Sequence, residues 1–137
     1  MISTDTFIRV RYADTDQMKY VYYGKYFEYF EQGRSDFLRT VGMPYPEIEK
    51  RGFMLPVMES HAEYVKPAFY DEELVVRTMV EEMPAVRVRI KYIVYRGSPD
   101  DVVARGYTVH AFIDAAKRVP VRAPADFLKL MESALKS

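Results

Sequence analysis

The 137-residue chain contains no cysteine. That excludes disulfides, cysteine nucleophiles and thiolate metal sites. Histidine is scarce: His61 and His110 are the only two, too few for a histidine-rich metal centre. No metal and no cofactor is expected. An excess of one charge is also lacking, because 20 basic residues balance 20 acidic ones. Bulk electrostatics therefore argue against a nucleic-acid partner. The opening stretch MISTDTFIRVRY has no apolar run of signal-peptide length, and nothing approaches a membrane span. A soluble, cytoplasmic protein is the expectation. Internal repeats, low-complexity tracts and linkers are missing too.

What remains is rich in apolar residues, at 49% of the chain. A chain of this size fits one domain, here 1–137, and should bury roughly two-thirds of its unfolded surface. FIRVRY reads as a short strand with Ile8, Val10 and Tyr12 on one face. From about Gly24 to Val41 the period changes. Phe27, Phe30, Phe37 and Val41 recur at helical spacing, and Arg34 fills the gap in the stripe. Gly33 lies inside that helix, where it costs about 1 kcal/mol against alanine; close approach to a sheet would account for it. Gly42, Pro44 and Pro46 end the helix.

Most of the rest reads as strand. FMLPVMESHAEYVKPA alternates irregularly, and DEELVVRTMVEEMP sets Leu74, Val76, Thr78 and Val80 on one face. In VRVRIKYIVYRG, Val86, Val88, Ile90, Tyr92 and Val94 alternate with Arg87, Arg89 and Lys91. GSPDD is a turn, VVARGYTVHAFID another strand, and ADFLKLMESALKS a terminal helix after Pro120 and Pro124. A helix this apolar needs burial, and a curved antiparallel sheet around it would supply that. The expected class is α+β.

The stretch YADTDQMKYVYYGKYFEYFEQGR, Tyr12 to Arg34, carries the chemistry. It resembles the first motif of the hotdog-fold acyl-CoA thioesterases, of the 4-hydroxybenzoyl-CoA thioesterase-like family and its Tol-Pal-associated bacterial branch. The matching residues are Tyr12, Asp14, Thr15, Asp16, Val21, Tyr22, Tyr23, Gly24, Tyr26, Glu31 and Arg34. Two weaker blocks, EYVKPAFYDEEL and RVPVRAP, extend the likeness over nearly the whole chain. Tyr23 matches the hydroxybenzoyl branch, where another branch has histidine. One position departs: Lys19 stands where the family usually has glycine. Glycine at such a turn supplies positive φ or room for a ligand. Lys19 would either point outward to a CoA phosphate or an acidic neighbour, or shift the loop and misdirect Asp16.

The resemblance implies a hotdog fold and hydrolysis of an acyl-CoA, with an acyl carrier protein thioester as a possible donor. It gives Asp16 the role of nucleophile or general base. The backbone N–H of Tyr23, alone or with that of Gly24, would meet the charge growing on the carbonyl oxygen. Helix physics supports such a donor, since the first N–H groups of a helix lack internal partners and sit in positive potential. It also implies a homo-oligomer, a dimer or dimer of dimers (a homotetramer), with the pocket at the subunit boundary.

Each assignment has a plainer alternative. Asp16 would otherwise be a turn or capping residue, and Asp14 a solvated turn carboxylate rather than a supporting one. Tyr12, Tyr22, Tyr23 and Tyr26 would line an acyl pocket or merely pack. Glu31 and Arg34 form a helix-face pair, and the histidines read as ordinary strand residues. Arg87 and Arg122 are candidate phosphate contacts, drawn from the basic sets Arg87, Arg89, Lys91 and Lys117, Arg118, Arg122. Two other functions share the fold: a hotdog dehydratase or hydratase, and a module that binds or assembles acyl thioesters without turnover.

Overall fold

The computed structural model describes residues 1–136. Five strands form one antiparallel sheet in the order β1-β4-β5-β6-β3. They are β1 (Ile2–Arg9), β3 (Val57–Tyr64), β4 (Glu73–Val80), β5 (Arg87–Arg96) and β6 (Val102–Ala111). The short strands β2 (Phe53–Met54) and β7 (Ile113–Asp114) pair separately. The long helix α1 (Lys25–Val41) packs across β1, β4 and β5. This is the α+β hotdog arrangement, a long helix packed on an antiparallel sheet.

The expected periodicities decide how these elements meet. Leu74, Val76, Thr78 and Val80 of β4, and Val88, Ile90, Tyr92 and Val94 of β5, are all buried under the helix. Phe30 stacks on Tyr92 with ring centroids 4.3 Å apart. Gly33 faces β4 so closely that an added Cβ would run into Thr78 Oγ1 and Val76 Cγ1. Its weak helix propensity is thus offset by close helix–sheet approach. Gly42 closes α1 at φ 106, its N–H donating to the carbonyls of Leu38 and Arg39.

Several boundaries differ from expectation. β1 starts at Ile2 and stops at Arg9, because Tyr12–Asp14 is a 3-10 turn. Tyr12 therefore leaves the strand face and is 78% exposed. The stretch 53–68 is two strands, not one, with Pro56 between β2 and β3; proline has no N–H to give a ladder. A second helix, α2 (Tyr45–Lys50), follows Pro44, where only a break was expected. Pro46 is tolerated in its first turn, since an N–H there would have no helical partner. The C-terminal helix α3 (Ala125–Lys136) buries Phe127 and Met131.

Strand β3 is a free edge. Seven of its eight residues are exposed, so neither of its faces is covered as those of β4 and β5 are.

Candidate active site

The loop between β1 and α1 is built in two tight pieces. The first is the 3-10 turn around Asp14. The second is a small hairpin in which Asp16 N–H donates to the Tyr20 carbonyl (3.0 Å) and Lys19 N–H to the Asp16 carbonyl (2.9 Å). Lys19 adopts φ 70, the left-handed conformation that glycine favours. Lysine thus adopts the positive φ that glycine would supply, and its side chain is exposed at the hairpin tip. Val21 N–H donates to the Ala68 carbonyl at 2.9 Å, fastening the hairpin to the segment after β3.

Asp16 is half-buried at the base of this hairpin. Its Oδ1 accepts the Met18 N–H at 2.9 Å, which is the expected turn role. Among the described residues its Oδ2 accepts no hydrogen bond. Asp16 lines a cavity of about 320 Å³ together with Met18, Tyr20, Tyr23, Tyr26 and Tyr64. The walls are aromatic: the Tyr26 and Tyr64 rings lie 5.6 Å apart, and Tyr23 and Tyr64 6.1 Å. Burial pushes the Tyr26 hydroxyl up to about 12, so it stays protonated at neutral pH.

The start of α1 borders the same cavity. Lys25 N–H donates to the Tyr22 carbonyl (2.9 Å) and Tyr26 N–H to the Tyr23 carbonyl (3.3 Å). Among the described residues, the N–H groups of Tyr23 and Gly24 have no protein acceptor. Gly24 is the N-cap and supplies no capping side chain. Two open donors therefore stand where the helix potential is positive. An added Cβ on Gly24 would meet the Tyr22 ring at 2.8 Å, so this turn is packed tightly.

Asp14 is the buried member of the pair, 2% exposed. Its Oδ2 accepts the Arg11 N–H (3.0 Å) and the Tyr29 hydroxyl (2.9 Å), and its Oδ1 accepts from the Arg11 guanidinium (3.1 Å). Lys25 Nζ lies 4.0 Å away. Burial pushes its carboxyl upward, but these hydrogen bonds outweigh that and hold it below the usual carboxylate range.

Of the expected site residues, Asp16, Tyr23 and Tyr26 come together around the cavity, with Gly24 beside them. Tyr22 sits against Tyr23 (4.4 Å) but does not line the cavity. Tyr12 does not line it either; its ring packs edge-on against Tyr70 at 5.8 Å. Arg87 and Arg122 share one region, since Ala123 N–H bonds the Ala85 carbonyl at 2.9 Å. That region is at the wrong end of the sheet. Arg87 pairs with Ala111, near Val57, whereas the cavity touches Tyr64 at the other end of β3. Strand rise makes this roughly 20 Å. Within one chain these two arginines do not join Asp16.

The remaining candidates have other duties. Arg89 lies over the Tyr107 ring at 3.9 Å, and Lys91 pairs with Glu81. Arg34 is mostly buried and lies 3.8 Å from Glu31. His61 stacks on Tyr107, and His110 is buried between the Leu55 carbonyl and Thr108 Oγ1. Neither histidine lines the cavity. Sequence reading assigned no role to Tyr20, Met18, Tyr64 or Lys66, yet all four line it. The last two follow from the fastening of EYVKPA beside the hairpin, a long-range pairing that local pattern does not carry.

A model of the Thioesterase-like superfamily matches residues 10–131. The DHNA-CoA thioesterase of Staphylococcus aureus is 30% identical and superposes with a TM-score of 0.90, covering 99% of this chain and 93% of that one. TT1821 from Thermus thermophilus is 34% identical with a TM-score of 0.88, covering 95% and 98%. The acyl-CoA thioesterase YbgC of Haemophilus influenzae is 27% identical over 120 residues, 87% of each chain. With the family's match running from the end of β1 into α3, this chain belongs to the Thioesterase-like superfamily.

Proposed function

We propose that the protein is an acyl-CoA thioesterase, hydrolysing the thioester to a free acid and CoA. One observation carries the reading. Asp16, a carboxylate with an open oxygen, and Tyr23, whose helix-start N–H is unpaired, both line one tyrosine-rich cavity. In the general-base route Asp16 takes a proton from water as the water oxygen bonds to the carbonyl carbon. The carbonyl oxygen becomes an oxyanion and accepts from the N–H of Tyr23 and Gly24. Collapse breaks the carbon–sulfur bond, and the thiolate leaves and takes up a proton. In the nucleophilic route Asp16 forms the bond itself and the resulting anhydride is hydrolysed. Both routes need the same two groups and neither needs histidine.

The acyl group would rest on Tyr20, Tyr23, Tyr26, Tyr64 and Met18, surfaces that suit an aromatic or alkyl body. Tyr23 in its motif position favours the hydroxybenzoyl-type branch. Two relatives act on CoA thioesters by name, which supports CoA as a donor. A homodimer formed through the β3 edges completes the site. A two-fold axis pairs these edges antiparallel, so the partner's Val57 end lies beside Tyr64. The partner's Arg87 and the partner's Arg122 then approach the mouth of the cavity and supply phosphate contacts.

The test is thiol release from a panel of acyl-CoAs by the wild type and by Asp16→Asn. The amide keeps the shape but is neither nucleophile nor base. The expected result is a fall in kcat of about 100-fold or more with KM changed little. Equal activity in the variant would reject Asp16 as catalyst. Saturable acyl-CoA binding with no release by the wild type would favour the binding-module reading instead.

A further inference from the structure

The two halves of the proposed site come from different elements. Asp16 belongs to the hairpin, and the Tyr23 and Gly24 N–H groups belong to the start of α1. Their separation must be held within a fraction of an ångström for both to meet one carbonyl. Among the described residues, every hydrogen bond joining residues 10–20 to residues 22–41 runs through Asp14. Its carbonyl accepts the Tyr22 N–H at 2.9 Å, next to the oxyanion donors. Its Oδ2 accepts the Tyr29 hydroxyl at 2.9 Å, one turn further into α1. The Lys25 ammonium approaches the other oxygen at 4.0 Å. On the loop side, the Arg11 N–H and guanidinium lock the same carboxylate. Asp16 follows two residues later.

We propose that Asp14 is a positioning residue for thioester hydrolysis, acting with Tyr29 to fix the distance between Asp16 and the Tyr23 N–H; this rests on the thioesterase reading above. Asp14 touches no substrate, since it does not line the Asp16 cavity. Its effect travels through the hairpin on one side and the first helical turn on the other. A buried turn carboxylate with only a structural duty would affect stability. A positioning carboxylate affects the transition state specifically, because the tetrahedral oxyanion needs both halves at once.

The variant that separates the two is Tyr29→Phe. It removes one bond, keeps the ring in the core and leaves Asp14 paired with Arg11. We expect kcat to fall about 5- to 50-fold with KM held within about 3-fold, the pattern of a displaced catalytic group. Asp14→Ala should cost more in kcat, and Asp14→Ala combined with Tyr29→Phe should be no worse than Asp14→Ala alone, since both break one connection. Amide spectra of Tyr29→Phe should show shifts at Asp16, Tyr23 and Gly24, with the melting temperature little changed. Wild-type kcat and unmoved amides in Tyr29→Phe overturn the proposal. So does a loss of activity that only tracks the folded fraction. If the wild type releases no thiol from any acyl-CoA, the thioesterase reading fails; the amide shifts still decide whether Asp14 and Tyr29 set the geometry.

Discussion

Single residues show how a motif fixes backbone as well as chemistry. Lys19 stands where glycine is usual and adopts φ 70, so the hairpin demands a left-handed residue and the lysine meets it under strain. A left-handed L-residue costs about 1–2 kcal/mol, and glycine's extra unfolded freedom offsets about 0.5–1 of that. Lys19→Gly should therefore raise stability in urea by up to about 1.5 kcal/mol and leave kcat near wild type. A large gain in kcat would mean that the native loop is compromised after all, and a weaker KM alone would place the ammonium on the ligand. His110 gives a second residue-level expectation. Burial pushes it down to about 4 from an ordinary 6.5, so the folded protein resists a proton that the unfolded chain accepts. Stability is whole above pH 6.5 and declines as pH falls toward 4, by about 3 kcal/mol in total. Asp5 and Asp14 are held below the ordinary carboxylate value of 3.8, so their losses come at lower pH. Urea unfolding at pH 7 and pH 4.5 should show the decline in the wild type and a flatter profile in His110→Gln. Equal slopes in the two would assign the loss elsewhere.

At the scale of elements, periodicity was the most informative signal. The span Gly24 to Val41 is α1 with its N-cap, and the alternation in β4 and β5 gives the buried faces directly. Its limits lay where tertiary contacts set the ends. The Asp14 carboxylate captures the Arg11 N–H and turns the chain out of β1, which moved Tyr12 off the strand face. Pro46 looks like a stop in the sequence, but a proline in a first helical turn is compatible with α2. Gly33 was legible as a close-approach residue because nothing else in a helix interior explains it. Gly33→Ala should accordingly behave opposite to helix propensity. Alanine is worth about 1 kcal/mol more in a free helix, but its methyl has no room beside Thr78 and Val76. Overpacking of this kind destabilises by about 1–3 kcal/mol. A lower urea midpoint in Gly33→Ala is expected, and a higher one would mean that α1 can move away from the sheet freely.

For the whole molecule, the resemblance implied a pocket at a subunit boundary, but local pattern did not say how Arg87 and Arg122 lie relative to Asp16. Asp16 and Tyr23 share a motif and lie together, whereas Arg87 and Arg122 lie at the far end of their own sheet. The proposed dimer resolves this, because antiparallel pairing of exposed β3 edges exchanges the ends of the two sheets. Each site would then draw its carboxylate from one copy and its phosphate contacts from the other. Complementation tests this arrangement directly. Asp16→Asn chains lack the carboxylate, and Arg87→Ala/Arg122→Ala chains lack the phosphate contacts. Alone, each should be poor at low acyl-CoA concentration. Unfolded and refolded together in equal amounts, half of the dimers should be mixed, and each mixed dimer should carry one intact site and one doubly defective site. Activity should recover to about a quarter of wild type. If Asp16 and the arginines served one site within a single chain, no mixed dimer would contain an intact site and activity would not rise above the average of the parents. A monomeric mass by light scattering at micromolar concentration would remove the dimer, and with it any role for Arg87 and Arg122 at the Asp16 cavity.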